Sequence, residues 1–176
     1  LVADLERKGV RAAAFKADQA DPVQVEGLVK AVVERFGRLD LLVNNAGVFI
    51  TGPVQDPAGN IGEFTRQYAV NVGGVVAGIR AASKVLAEGG RIITVGSAVA
   101  VRAGFPGLAD YTATKGAIVG YTKGAARDLA AKNITVNVVQ PGPVDTDMNP
   151  ADGPMKDQMH GFMAIKRHAR PDEVGA

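Results

Sequence analysis

Short apolar runs alternate with helix-length segments along almost the whole chain, and this alternation restricts the fold more than any other feature of the sequence. Arg11 to Ala17 reads as a strand, Pro22 to Phe36 as a helix and Leu39 to Val43 as a second strand. Ile61 to Leu86 is mainly helical, Arg91 to Val95 is a third strand, Ala109 to Ala131 a helix and Ile134 to Val139 a fourth strand. Such a succession is the signature of repeated β-α units around a parallel sheet. With 176 residues, 47% of them hydrophobic, the chain is long enough for one core and short for two. The 9 Pro and 22 Gly are scattered, so no linker or repeat divides the single domain expected over residues 1–176.

In an open parallel sheet, ligands bind outside the carboxyl ends of the strands, where helix N-termini and loop amides converge. The first strand runs into Asp18, the second into Asn44-Asn45-Ala46-Gly47, the third into Gly96-Ser97 and the fourth into Gln140-Pro141-Gly142. Each group is also ordinary turn chemistry. Their coincidence at successive strand ends points to a ligand cleft.

Tyr111-Thr112-Ala113-Thr114-Lys115 opens the helix after the third strand, and residues four apart share a helical face. A phenol free in water titrates near pH ~10, and a cation beside it favours phenolate, which brings it toward general acid–base work. The same pair also fits an amphipathic helix with a snorkelling Lys. Ser97, fourteen residues before Tyr111, is placed to face it across the cleft and hydrogen-bond a substrate oxygen. Asn71 lies among small and apolar residues between Tyr68 and Ala82, where an amide needs partners.

Composition removes several alternatives. The formal charge is +2 with Lys and Arg interspersed among Asp and Glu, so no basic block grips a nucleic acid polymer. The absence of Cys excludes disulfides, thiolate catalysis and zinc–thiolate sites, and His160 and His168 read as surface or packing residues rather than metal ligands. No apolar run approaches the ~20 residues that span a bilayer and no signal peptide is visible, so the expected location is the cytoplasm, away from membranes.

Asn44-Asn45-Ala46-Gly47, Asn71, Ser97, Tyr111-x-x-x-Lys115 and Pro141-Gly142-Pro143-Val144-Asp145-Thr146, in this order and spacing, resemble the classical short-chain dehydrogenase/reductase family over nearly the whole chain. The resemblance implies a Rossmann-type doubly wound parallel sheet and an NAD(P)-dependent interconversion of a carbonyl and a secondary alcohol. Tyr111 would exchange the substrate proton, Ser97 would position the carbonyl, and both would bind the substrate. Lys115 would lower the Tyr111 pKa and hold the nicotinamide ribose, and Asn71 would anchor a water of the proton relay. Asp18 would meet the adenine ring, Asn44, Ala46 and Gly47 would line the adenosine side, and after the Pro141-Gly142 turn, itself part of the cofactor site, Val144 and Thr146 would contact the nicotinamide carboxamide. The implied cofactor is NADP(H) or NAD(H), with NADP(H) favoured.

The two chain ends and the same resemblance lead to the expectation that the chain is a fragment. Leu1 starts within an apolar-periodic stretch that stops at Gly9, and Pro171-Asp172-Glu173 begins a new helix just before Ala176. The family's Gly-rich pyrophosphate turn, first two strands and last strand are missing, and the fragment alone is expected to bind cofactor poorly and to be inactive.

The run from Val138 to Val174 resembles a branch that holds both 3-oxoacyl-carrier-protein reductases and a cyclic-di-GMP-binding regulator, so the alternative is a nucleotide-binding regulator on the same fold. Residues 147–163, rich in Met, would form either a substrate lid or a loop packed on the core. Gly116, Gly120 and Gly124 recur on one helix face at up to about 1 kcal/mol each relative to Ala, which close backbone packing would offset. The chain's own sheet is one candidate partner, and the resemblance suggests a homo-oligomer, a dimer or tetramer, as the other.

Overall fold

The computed structural model describes residues 1–56, 59 and 61–175. A short helix, α1 (Val2–Arg7), leads through Gly9 toward α2 (Pro22–Phe36). Local chemistry starts α2: the Asp21 carboxylate accepts the N–H groups of Val23 and Gln24 at 2.9 and 3.4 Å, and Pro22 sits in the first turn, where its missing N–H costs nothing. Gly37 ends the helix with φ 84°, a left-handed conformation that glycine adopts without strain.

Strands β1 (Leu39–Asn44), β2 (Leu86–Val95) and β3 (Thr135–Val139) form one parallel sheet in that order. Asn44 stands beside Thr94, and Val95 beside Val139, so all three carboxyl ends finish on one edge. Between the strands run α3 (Ile61–Tyr68), a wider π-helical turn (Ala69–Gly74), α4 (Val75–Val85) and α5 (Ala109–Asp128). Val75, Ile79 and Ala82 of α4 and Ile118 and Ala125 of α5 close over Ile92 and Val136. Ile92 and Ile118 are wholly buried, and each such side chain contributes about 1.5–3 kcal/mol. After β3 the chain forms α6 (Lys156–Gly161) and α7 (Asp172–Gly175).

One expectation needs correction. Arg11 to Ala17 is not a strand of this sheet, and no ladder partner for it exists among the described residues. An extended pattern becomes a strand only when a neighbour exchanges N–H···O bonds with it. The stretch expected to be mainly helical is helical from Ile61 to Val85, with the π turn inside it, and Leu86 already belongs to β2, pairing with Leu39. No helix among the described residues is long and apolar enough to cross a membrane.

Candidate active site

The end of β2 and the start of α5 bring the predicted Ser97, Tyr111 and Lys115 together. Gly96 donates to Val139 O at 2.7 Å and Ala98 to Pro141 O at 2.9 Å, which ties the end of β2 to the turn after β3. Ser97 Oγ accepts the N–H of Val99 at 3.3 Å and lies near enough to the Tyr111 phenol to favour its ionised form. Tyr111 lies in the first turn of α5, held edge-on against Phe49 with ring centroids 4.7 Å apart. One turn later Lys115 is buried, donates to Val95 O at 3.1 Å, and keeps its Nζ 5.6 Å from the Tyr111 ring centroid.

Burial dominates the electrostatics here. It pushes the Tyr111 phenol above its ordinary value, and the Ser97 hydroxyl only partly offsets this. Burial also pulls the Lys115 ammonium below its ordinary value. The expected lowering of Tyr111 by Lys115 is therefore not what this geometry gives: the ammonium lies over the ring side and spends a proton on a carbonyl, and desolvation wins. Tyr111 stands as a neutral phenol beside a partly desolvated cation.

Asn71 is 1% exposed and its amide is fully engaged. Oδ1 accepts Val48 N–H at 2.9 Å, while Nδ2 donates to Val48 O at 2.9 Å and to Thr114 Oγ1 at 3.3 Å. Thr114 Oγ1 in turn donates to Tyr111 O at 2.8 Å. The Asn71 side chain thus fixes the strand-end loop and, through Thr114, the first turn of α5. It sits in the π turn, a departure from α-helix often associated with functional sites.

Above these residues lies a cleft of about 940 Å³. Ala46, Gly47, Ser97, Tyr111, Lys115, Pro141, Gly142, Val144 and Thr146 line it. Asn44 does not. Its side chain is 6% exposed, bonds Thr94 Oγ1 at 3.3 Å and faces Gly78, where a Cβ would approach Asn44 Oδ1 to 2.7 Å. Asn45 takes the place in the cleft. The two-residue period of β1 held this signal, since Leu42 and Asn44 share the face that turns toward the core. Asp18 also lies outside the cleft lining: it caps its own turn through Ala20 N–H at 2.9 Å and pairs with Arg66 at 3.3 Å. Its carboxyl is held below the ordinary range, first by the Ala20 amide and then by Arg66.

Residues missed in the sequence complete the walls: Phe49, Arg102, Phe105, Leu108, Asn149 and Arg167. No motif marks them, because tertiary contact alone brings them to the cleft. Met148, Met159, Phe162 and Met163 do line it, and the segment carrying them is anchored at both ends, by Asp145 N–H to Ala169 O and Ala169 N–H to Pro143 O, each 2.9 Å. His160 and His168 are not independent surface residues. Their rings hydrogen-bond each other, Nε2 to Nδ1, at 3.0 Å, and His168 is buried. No group of three or more potential metal ligands occurs among the described residues. The glycine stripe does not pack on the chain's own sheet: a Cβ at Gly120 or Gly124 would meet nothing within 4 Å.

A model of the short chain dehydrogenase family matches residues 1–157, and the chain belongs to that family. It is 44% identical over 143 residues to a cyclic-di-GMP-binding biofilm dispersal mediator protein of Escherichia coli, covering 81% of this chain and 60% of that protein. It is 35% identical over 176 residues to a 3-oxoacyl-[acyl-carrier-protein] reductase of Synechocystis, covering 99% of this chain and 69% of the reductase. A short chain dehydrogenase from Burkholderia cenocepacia, crystallised in complex with NADP, superposes with a TM-score of 0.95 at 46% identity, over 98% of this chain and 70% of that one. The three parallel strands and their helices therefore belong to the Rossmann-type fold that the motifs imply.

Proposed function

We propose that the protein is an NADP(H)-dependent oxidoreductase that interconverts a carbonyl and a secondary alcohol, with Ser97, Tyr111 and Lys115 as catalytic residues and Asn71 as a positioning residue. The observation that carries this reading is the convergence of the Ser97 hydroxyl, the Tyr111 phenol and the Lys115 ammonium at the floor of one apolar-walled cleft. The residues present fit the nicotinamide end of such a cofactor. A Cβ on Gly47 would lie 3.3 Å from Asn71 Oδ1 and 3.8 Å from Lys115 Nζ, so glycine alone keeps the floor open beside the ammonium. Lys115 Nζ has donors to spare beyond its bond to Val95 O, and it would hold the ribose. Gly142, Val144 and Thr146 would line the carboxamide side.

Bound NADPH supplies hydride to the carbonyl carbon. In that direction Tyr111 Oη delivers its proton to the carbonyl oxygen, which becomes the alcohol hydroxyl, while Ser97 Oγ holds the same oxygen by a hydrogen bond. The upward push on the Tyr111 pKa suits this role, because the phenol keeps its proton until the oxygen develops charge. Lys115 steadies the resulting phenolate. A homo-oligomer is part of the proposal, since the α5 face bearing Gly120 and Gly124 stands open.

The test is NADPH and NADH oxidation by the full-length gene product with a panel of ketones and β-ketoacyl thioesters. Turnover of at least one carbonyl is expected, and none across the panel would refute the proposal. The 44% identity to the cyclic-di-GMP-binding protein favours a second reading, a nucleotide-binding regulator. Saturable micromolar binding of cyclic di-GMP by calorimetry would support it, and its absence would remove it.

A further inference from the structure

The lining of the cleft is chemically lopsided. Lys115, Arg102 and Arg167 line it, yet no Asp or Glu does among the described residues. The three cations are not equivalent. Lys115 is buried and engaged with Val95 O. Arg167 is neutralised by Glu173, which takes its guanidinium at 2.8 and 2.7 Å, and it also donates to His168 O at 3.0 Å. The Arg102 guanidinium makes no hydrogen bond or ion pair among the described residues, and it stands exposed on the rim.

Its position separates it from the strand-end turns proposed for the cofactor. Arg102 lies on the loop that joins Ser97 to Tyr111, the two residues proposed to meet the substrate carbonyl. Phe105 and Phe162 add apolar wall to the same cleft. The Phe105 and Phe162 rings lie with centroids 6.3 Å apart at a tilt of 37°, and a Cβ on Gly104 would approach the Phe162 ring to 2.7 Å. For a substrate whose carbonyl reaches Ser97 and Tyr111, Phe105 and Phe162 offer apolar wall in the same cleft, and Arg102 offers a planar cation with no partner among the described residues.

We infer that Arg102 is the specificity-determining residue of this cleft, selecting carbonyl compounds with an apolar body that ends in an anion, a carboxylate or a phosphate. This rests on the proposed carbonyl chemistry for where the other end of the substrate lies. A guanidinium offers such an anion a bidentate, charge-assisted grip that an ester cannot accept equally.

Calorimetric titration of the full-length protein with oxidised cofactor present tests this without turnover. The probes are methyl ketones of increasing chain length ending in a carboxylate or in a phosphate, the carboxylate paired with its methyl ester and the phosphate with its neutral dimethyl ester. At the best length, the acid is expected to bind about tenfold more tightly than its ester, about 1.4 kcal/mol. Arg102→Gln is expected to collapse that ratio toward one, and Arg102→Lys to keep part of it. A carboxylate or a phosphate preference of this kind supports the inference and identifies which anion is read. Equal binding of acids and esters by the unsubstituted protein overturns it, as does a preference that survives Arg102→Gln. The same ketones assayed with NADPH keep the two ideas apart: anion-selective binding without turnover sinks the reductase reading alone, and turnover without selectivity sinks the role of Arg102 alone.

Discussion

The side-chain amide of Asn71 reads both backbone groups of Val48, accepting its N–H and donating to its C=O at 2.9 Å each. A residue from the π turn thereby acts as a strand-like partner for the loop that leaves β1. It stabilises the cleft floor on one side, and its third bond, to Thr114, reaches the turn that holds Tyr111.

Removing that clamp is costly. Asn71→Ala leaves the N–H and C=O of Val48 without their partner in a half-buried loop, an expected loss of about 2–4 kcal/mol. Asn71→Asp keeps an acceptor for the N–H but sets a second oxygen against Val48 O, so it rescues little. Thermal or urea unfolding of both variants measures this, and a loss under about 0.5 kcal/mol, as for an ordinary surface change, would show the clamp to be dispensable.

Asn44 and Gly78 form a second close pair. A methyl group on Gly78 would meet Asn44 Oδ1 at 2.7 Å, so Gly78→Ala is expected to destabilise by about 1–3 kcal/mol despite its favourable helix propensity. Combining it with Asn44→Ala removes the clash, and a double-mutant cycle should return a coupling of about 1 kcal/mol or more. Strict additivity would mean that the two do not press on each other.

Tyr111→Phe removes the proton while keeping the ring that packs on Phe49. With a carbonyl found active in the panel, kcat should fall about a hundred- to ten-thousandfold with the melting temperature nearly unchanged. A variant with the unsubstituted rate would remove Tyr111 from the chemistry.

Glu173 carries the pH dependence of the cleft's return segment. Arg167, then the Arg170 amide, hold its carboxyl at about 2 against an ordinary value of 4.5. A carboxylate depressed on folding contributes stability that is fully present above the ordinary value and lost as pH falls through the folded one. Glu173→Gln should therefore lower the melting temperature near neutral pH, and the gap to the unsubstituted protein should close as pH falls from about 5 toward about 2. A gap independent of pH would mean that the carboxylate charge contributes nothing there.

Local chemistry made much of the protein legible in its sequence. The limits of α2 follow from Asp21, Pro22 and Gly37, because caps act within one turn. The convergence of Ser97, Tyr111 and Lys115 follows from a strand end and an i,i+4 spacing, which β-α periodicity alone can place. Other features waited for the tertiary structure. Whether Arg11 to Ala17 joins a sheet depends on a neighbour across space, and none is paired with it among the described residues. Asn44 and Asn45 look alike in sequence, yet one is buried against Gly78 and the other lines the cleft. The Tyr111 pKa turned on burial rather than on the Lys beside it, and desolvation is a property of everything packed around a group. Sequence specified which chemical groups would meet at the edge of the sheet. Packing decided which way each side chain faces, how far water is kept from it, and that Arg102, among the cleft's cations, has no partner among the described residues.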